Sequence, residues 1–289
     1  MYMRFILLAA LLIFTNGYYD ISAQTVFTYR SPESSSDTRY DYDNALLKLA
    51  LDKTVNNYGE YILRASPVMN YARMRNSLVN NELENPMFKQ SATNELCDSL
   101  DYVNFPIDLG IVGYRVFFVA PAIKTQLESV KTLDELKEYT ILQGFGWSDI
   151  DILRSEGFEV MEIQKYESLF LMVTNNRGDL LPRGINEIKS EIENHRGLKN
   201  LMVNSNLVLH YPLPRFFFTS KGNRSAVNRV LEGLSVAYED GSLMELWKEH
   251  YQESIDFTNL NNRLIISIPN RGISNVDKSY EKYFYKIRN

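Results

Sequence analysis

Apolar positions along this chain recur with two different periods that take turns. Val26-Phe27-Thr28-Tyr29 is a short strand-like run, and Arg30-Ser31-Pro32-Glu33 with Ser34, Ser35 and Ser36 forms a polar loop after it. Ala45, Leu46, Leu49 and Ala50 then fall at helical spacing, which predicts a first helix. A second strand is expected at Tyr61-Ile62-Leu63 and a second helix over 71–79, followed by a shorter apolar segment at Met87-Phe88 and another over 102–107. Gly110 and Gly113 flank Ile111-Val112, and a strong strand follows over 114–119. Beyond it the spacing predicts helices over 133–139, 150–156 and 185–195 and a strand over 140–143. Strand alternating with helix argues for α/β architecture with largely parallel pairing.

The stretch 207–251 adds the most. Leu207-Val208-Leu209 and Phe216-Phe217-Phe218 are two strand-like runs separated by Tyr211-Pro212-Leu213-Pro214. Proline donates no ladder hydrogen bond, so this segment is expected to leave one sheet and enter another. Two helical patterns follow: Val227, Val230, Leu231 and Leu234, then Leu243, Leu246 and Trp247, split by Asp240-Gly241-Ser242. Ser242 with Glu245 three residues on has the form of a capping box.

In this order the motifs resemble the end of a type 2 periplasmic binding protein, and among those the family 3 solute-binding proteins, which include the amino-acid receptors of ABC importers. The stretches 132–137 (TLDELK) and 143–149 (QGFGWSD), Gly157, Gly178-Asp179 and Arg183-Gly184 extend the resemblance over roughly 27–251. It implies an α/β, two-lobe fold in which each lobe is a mixed, mostly parallel sheet flanked by helices. Two crossing segments would join the lobes, with Gly113, Tyr114, Tyr211 and Pro212 at the hinge. Lobe 1 would comprise 24–112 and 211–256, lobe 2 113–210, and an extension over 257–289 is expected to pack on lobe 1.

Composition sharpens the setting. The chain has 289 residues, 45% hydrophobic and 23% charged, without a disordered bias. Arg4, an apolar run from Phe5 to Phe14 and the small residues Ser22-Ala23 form an expected secretory signal peptide over 1–23. The apolar run is too short for a bilayer span, which needs about 20 residues. Export to the periplasm follows as the expected localisation. A net charge of -5 and a pI near 5.4 leave no basic footprint for nucleic acid. The single Cys97 excludes an internal disulfide, and no His/Cys/carboxylate spacing indicates a metal or cofactor.

Helix N-termini and strand C-termini at a cleft attract anions through unpaired N–H groups. Three segments are expected there: Tyr29, Arg30 and Glu33 after the first strand; Trp147, Ser148 and Asp149 in the glycine loop; and Arg183. Ser148 or Asp149 is placed to cap the helix that follows, and Trp147 offers a flat apolar surface for stacking. By resemblance, amino-acid receptors carry an acidic residue where this chain has Leu181-Pro182-Arg183. They also carry an arginine before the first crossing, absent here between Thr93 and Phe105. The expected ligand is therefore a small polar or anionic solute rather than a free α-amino acid, with Arg183 and Arg30 as anion contacts. The expected role is an exported, monomeric binding protein for an ABC importer, with its permease as partner. The alternatives are a stand-alone module reporting to a membrane sensor and a Cys97-dependent transferase.

Overall fold

The computed structural model describes residues 24–32 and 40–287, so the expected signal peptide and Glu33 lie outside the described residues. Lobe 1 opens with β1 (Thr25–Tyr29), α1 (Asp41–Asp52), α2 (Val55–Tyr58), β2 (Tyr61–Ala65), α3 (Tyr71–Val79), β3 (Phe88–Ser91), α4 (Asn94–Ser99) and β4 (Asp101–Tyr102). A 3-10 turn, Ile111–Gly113, carries the first crossing into lobe 2. There follow β5 (Tyr114–Val119), α5 (Pro121–Leu127), α6 (Leu133–Leu136), β6 (Ile141–Gly144), α7 (Asp149–Ser155), β7 (Val160–Ile163), α8 (Tyr166–Thr174), β8 (Leu181–Gly184), α9 (Ile188–Asn194), β9 (Met202–Val203) and β10 (Leu207–His210). The return crossing delivers β11 (Arg215–Thr219), α10 (Arg224–Glu239) and α11 (Ser242–Thr258), and the tail adds β12 (Leu264–Ser267).

The two lobes repeat one strand order. In lobe 1, β2 pairs with β1 in parallel, a single parallel bridge from Thr28 to Pro86 leads on to β3, and β11 lies antiparallel between β3 and β4. In lobe 2, β7 pairs with β6, a bridge from Ile141 to Leu180 leads on to β8, and β5 runs antiparallel between β8 and β10. The strand that comes straight off each crossing thus runs against its neighbours. This puts more antiparallel pairing into these mixed sheets than strand–helix alternation alone implies.

The two crossings lie side by side. Tyr114 and Leu209-His210 sit on adjacent antiparallel strands, with Tyr114 opposite His210 and their rings 4.3 Å apart. The Tyr211 N–H donates to the Gly113 carbonyl at 3.1 Å. A Cβ on Gly113 would stand 2.3 Å from the Tyr211 carbonyl oxygen, so only glycine lets the two passages approach this closely. Tyr42 Oη donates to Ile107 O at 2.6 Å and Trp247 Nε1 to Asp108 O at 3.2 Å, fixing the approach to the first crossing from α1 and α11. On the far side α11 reaches lobe 2, where Ser254 Oγ donates to Ile185 O at 2.6 Å.

Two local expectations change. The residue before α11 is Gly241 in the left-handed region, and Ser242 donates through both its N–H and its Oγ to Asp240 Oδ1 instead of capping. The capping box forms instead at Thr132 and Glu135 ahead of α6. The tail also departs from packing on lobe 1 alone. β12 pairs with β10 in parallel and becomes the outer strand of the lobe 2 sheet, with Ile266 and Ile268 in that lobe's core. Asn270 Nδ2 then donates to Pro212 O at 2.9 Å, and Arg271 pairs with Glu156 of lobe 2 at 3.0 Å. Ile273, Val276 and Tyr280 enter the lobe 1 core with Phe216 and Phe218. The chain therefore passes between the lobes a third time to reach β12 and a fourth time to return to lobe 1.

Truncation of the fully buried Tyr280 in Tyr280→Ala is expected to cost about 3 kcal/mol in urea unfolding. Gly113→Ala is expected to cost roughly 1–3 kcal/mol because backbone must move. A wild-type midpoint for Tyr280→Ala would separate the tail from the lobe 1 core.

Candidate functional site

A cleft of about 500 Å³ opens between the lobes. Lobe 1 lines it with Arg30, Tyr40, Tyr71, Arg75, Lys89, Thr93, Glu95 and Arg215; lobe 2 contributes Arg115, the loop from Phe145 to Asp151, Arg154, Glu162, Tyr166, Arg183 and Glu187. The elements account for this placement. Arg30 follows the end of β1, Lys89 and Arg215 sit on the adjacent strands β3 and β11, and the 145–148 loop links β6 to α7. Strand ends and a helix start therefore meet where the lobes face each other.

Of the residues expected at the site, Arg30, Trp147, Ser148, Asp149 and Arg183 line the cleft. Tyr29 does not: it is half-buried against the main core cluster at the end of β1. Arg30 is buried with its guanidinium 4.5 Å from the Tyr40 ring centroid. Neither expected cap forms, since Ser148 occupies the position before α7 without a side-chain bond. Asp149 instead accepts from Tyr211 Oη at 2.5 Å and from Arg115 Nη2 at 2.6 Å, and Arg115 Nε donates to the same tyrosine oxygen at 3.1 Å. This buried triad ties the second crossing to α7 and to β5.

The Trp147 ring also has another task than stacking on a ligand. It lies so close over Gly144 that a Cβ there would be 2.4 Å from the indole, and Arg183 stands 4.8 Å from its centroid. The aromatic side chain left open on this loop is Phe145, 62% exposed. The cation at Arg183 is likewise committed. Its Nε and Nη2 reach both Glu191 oxygens at 2.6–2.9 Å, and Nη2 lies 3.1 Å from Glu187. The charge reversal read at Arg183 is thus cancelled by two carboxylates that the linear sequence does not place beside it. Burial alone would raise the Glu187 carboxyl, but the guanidiniums of Arg183, Arg215 and Arg115 outweigh it and hold it well below the usual range.

Sequence reasoning missed Arg115, Glu187, Arg215 and Asp108. Arg115 was hidden within a hydrophobic strand, and Arg215 follows directly on the proline crossing, which was a usable signal. Asp108 is 1% exposed, neither of its carboxylate oxygens meets a hydrogen-bond donor, and burial pushes its carboxyl up to about 6. Cys97 lies on α4 outside the cleft lining, and burial pushes its thiol up to about 11, which disfavours the thiolate a transferase requires. Among the described residues no group of three or more His, Cys, Asp or Glu side chains could hold a metal, and no helix is long and apolar enough to cross a membrane.

Two lobes of equal strand order, paired crossings and a cleft lined from both sides define the type 2 periplasmic-binding-protein architecture. Solved structures of solute-binding proteins share it. An ancestral arginine-binding protein bound to arginine superposes with a TM-score of 0.56 at 13% identity, covering 78% of this chain and 98% of that one. The putative binding component of an ABC transporter from Wolinella succinogenes, complexed with lysine, gives 0.58 at 16% identity, covering 78% and 95%. The arginine-, lysine-, histidine-binding protein ArtJ from Geobacillus stearothermophilus gives 0.54 at 16% identity, covering 79% and 95%. No protein-family model and no curated protein matches the sequence.

Gly144→Ala is expected to displace Trp147, red-shifting its fluorescence and costing roughly 1–3 kcal/mol. For Asp108, a folded-state value raised above that of the unfolded chain gives stability present below the ordinary carboxyl range and lost as pH climbs through about 6. Asp108→Asn is therefore expected to gain roughly 2–3 kcal/mol on wild type at pH 7 relative to pH 4. Parallel stability curves in urea melts across that range would exclude the titration.

Proposed function

We propose that this chain is an exported solute-binding protein that closes over a small polar or anionic ligand and delivers it to the membrane subunits of an ABC importer. The observation that carries this reading is the cleft of about 500 Å³ faced by side chains from both lobes, with the connecting passages paired at its back. A ligand touching both walls binds the closed arrangement better than the open one and so shifts the balance towards closure, with Gly113, Tyr114, Tyr211 and Pro212 as hinge positions. The solute-binding proteins of like fold support the class. Residues 1–23 supply the export signal in this reading, and the mature protein acts as a monomer.

The ligand is not a free α-amino acid in this reading, because the segment from Thr93 to Phe105 has no arginine to hold an α-carboxylate. With Arg183 held by Glu187 and Glu191, any anionic part of the ligand meets another cation of the cleft. A thermal-shift screen of the mature protein against organic acids, inorganic anions, sugars and amino acids tests the proposal. At a concentration of about 100 times Kd a true ligand adds about 2.7 kcal/mol, enough to raise Tm by roughly 5–10 °C. Small-angle scattering would show the accompanying compaction. Strong stabilisation by several free α-amino acids and none by organic anions would overturn the ligand class.

A further inference from the structure

We propose that Arg215 is the anion contact of the cleft, holding a carboxylate of the bound solute from the lobe 1 wall. This deepens the binding reading above and rests on it. The argument comes from how the other cations are used. Arg115 is bonded to Asp149 and Tyr211, Arg183 to Glu191 and Glu187, Arg154 to Glu162 and the Val160 carbonyl, and Arg75 to Glu95, while Arg30 is buried against the Tyr40 ring. Arg215 differs. Its nearest carboxylates are Glu187, 3.5 Å from Nη2, and Asp108, 3.7 Å from Nε, and among the described residues no atom accepts a hydrogen bond from its guanidinium.

A guanidinium presents five N–H donors in a planar fork that fits a carboxylate through two parallel bonds. Leaving that fork unmatched in a largely desolvated place is unfavourable, and the Arg215 side chain is only 16% exposed. The two acids beside it do not fill the need. Glu187 is shared with Arg183 at 3.1 Å and Arg115 at 3.9 Å, so it attracts Arg215 without matching its fork by a pair of hydrogen bonds. Asp108 is 1% exposed and lies 3.7 Å from Nε, so it offers the fork attraction but no hydrogen bond.

Position reinforces the assignment. Arg215 is the first residue of β11, directly beyond the hinge, and lies opposite Ser91 while Lys89 lies opposite Phe217. Residues two apart on a strand share a face, so Lys89 projects from the same face as Arg215 and adds positive charge, itself bonded to Asp43 at 2.7 Å. A solute carboxylate seated on Arg215 therefore arrives at the junction of the lobes, where Glu187 of lobe 2 already faces that arginine.

The test uses the mature full-length protein with succinate, benzoate and inorganic phosphate as anionic probes and L-arginine and L-glutamine as counter-probes. Binding is read by calorimetry and thermal shift at constant ionic strength. The expected result is saturable binding of a carboxylate probe that weakens at least about tenfold in Arg215→Gln. A smaller loss is expected in Arg215→Lys, which keeps the charge but not the fork. If Arg215→Gln fails to fold, the wild-type-to-Arg215→Lys ratio carries the comparison. Carboxylate binding equal in wild type and both variants overturns the assignment while the binding function stands. Binding of phosphate or of the amino acids alone does the same. No binding of any probe overturns the assignment together with the reading beneath it.

Discussion

At Gly113 two passages of the chain come within the reach of a single methyl group, and the molecule is organised around that approach. The hydrogen bond from Tyr211 to Gly113 and the antiparallel pairing of β5 with β10 make one ribbon of what would otherwise be two separate linkers. A paired ribbon resists twisting and sideways slip more than it resists bending across its face. Such a ribbon suits the closure proposed for the cleft. Tyr211 extends this control, because its hydroxyl belongs to the triad with Arg115 and Asp149. The tyrosine at the return crossing also fixes the start of α7, and with it the loop bearing Phe145.

The cleft turns many charges inward. Seven cationic and five acidic side chains line it: Arg30, Arg75, Lys89, Arg115, Arg154, Arg183 and Arg215 against Glu95, Asp149, Asp151, Glu162 and Glu187. Asp43, Asp108 and Glu191 stand behind them. Such groups are tolerable away from water only when each finds a partner, because the desolvation of an unpaired ion exceeds what distant attraction returns. Most do find one, so the greater part of this charge serves the architecture. Arg215 meets Glu187 only at 3.5 Å and the neighbouring Asp108 only at 3.7 Å.

Much of the fold was legible because it depends on local signals. The helix over 71–79 has the bounds read from its spacing, and the apolar run Phe216-Phe217-Phe218 is the core of β11. The prolines between Tyr211 and Arg215 marked a change of sheet that the strand pairings bear out. Less was legible where a side chain's role depends on residues distant in sequence. Arg183 reads as a lone cation until Glu187 and Glu191 fold back beside it, and Trp147 reads as a stacking platform until Gly144 and Arg183 cover it. Asp149 has the ordinary look of a helix cap, and only the return crossing brings Tyr211 to claim its oxygen. Tyr29 failed for a simpler reason: alternation turned it towards the core.

The placement of β12 bears on how the protein is made. β10 borders the lobe 2 sheet with its outer edge unpaired until residues 264–267, which follow α11 in the chain, have been added. An open strand edge is a template for pairing with another chain. Lobe 2 therefore emerges from the ribosome with an exposed edge whose partner has not yet been translated. A chain cut before Leu264 would keep that edge, and the longer chain can close it only after α11 has been made. Folding of lobe 2 that waits for residues 264–267 suits this arrangement better than folding as the chain is made.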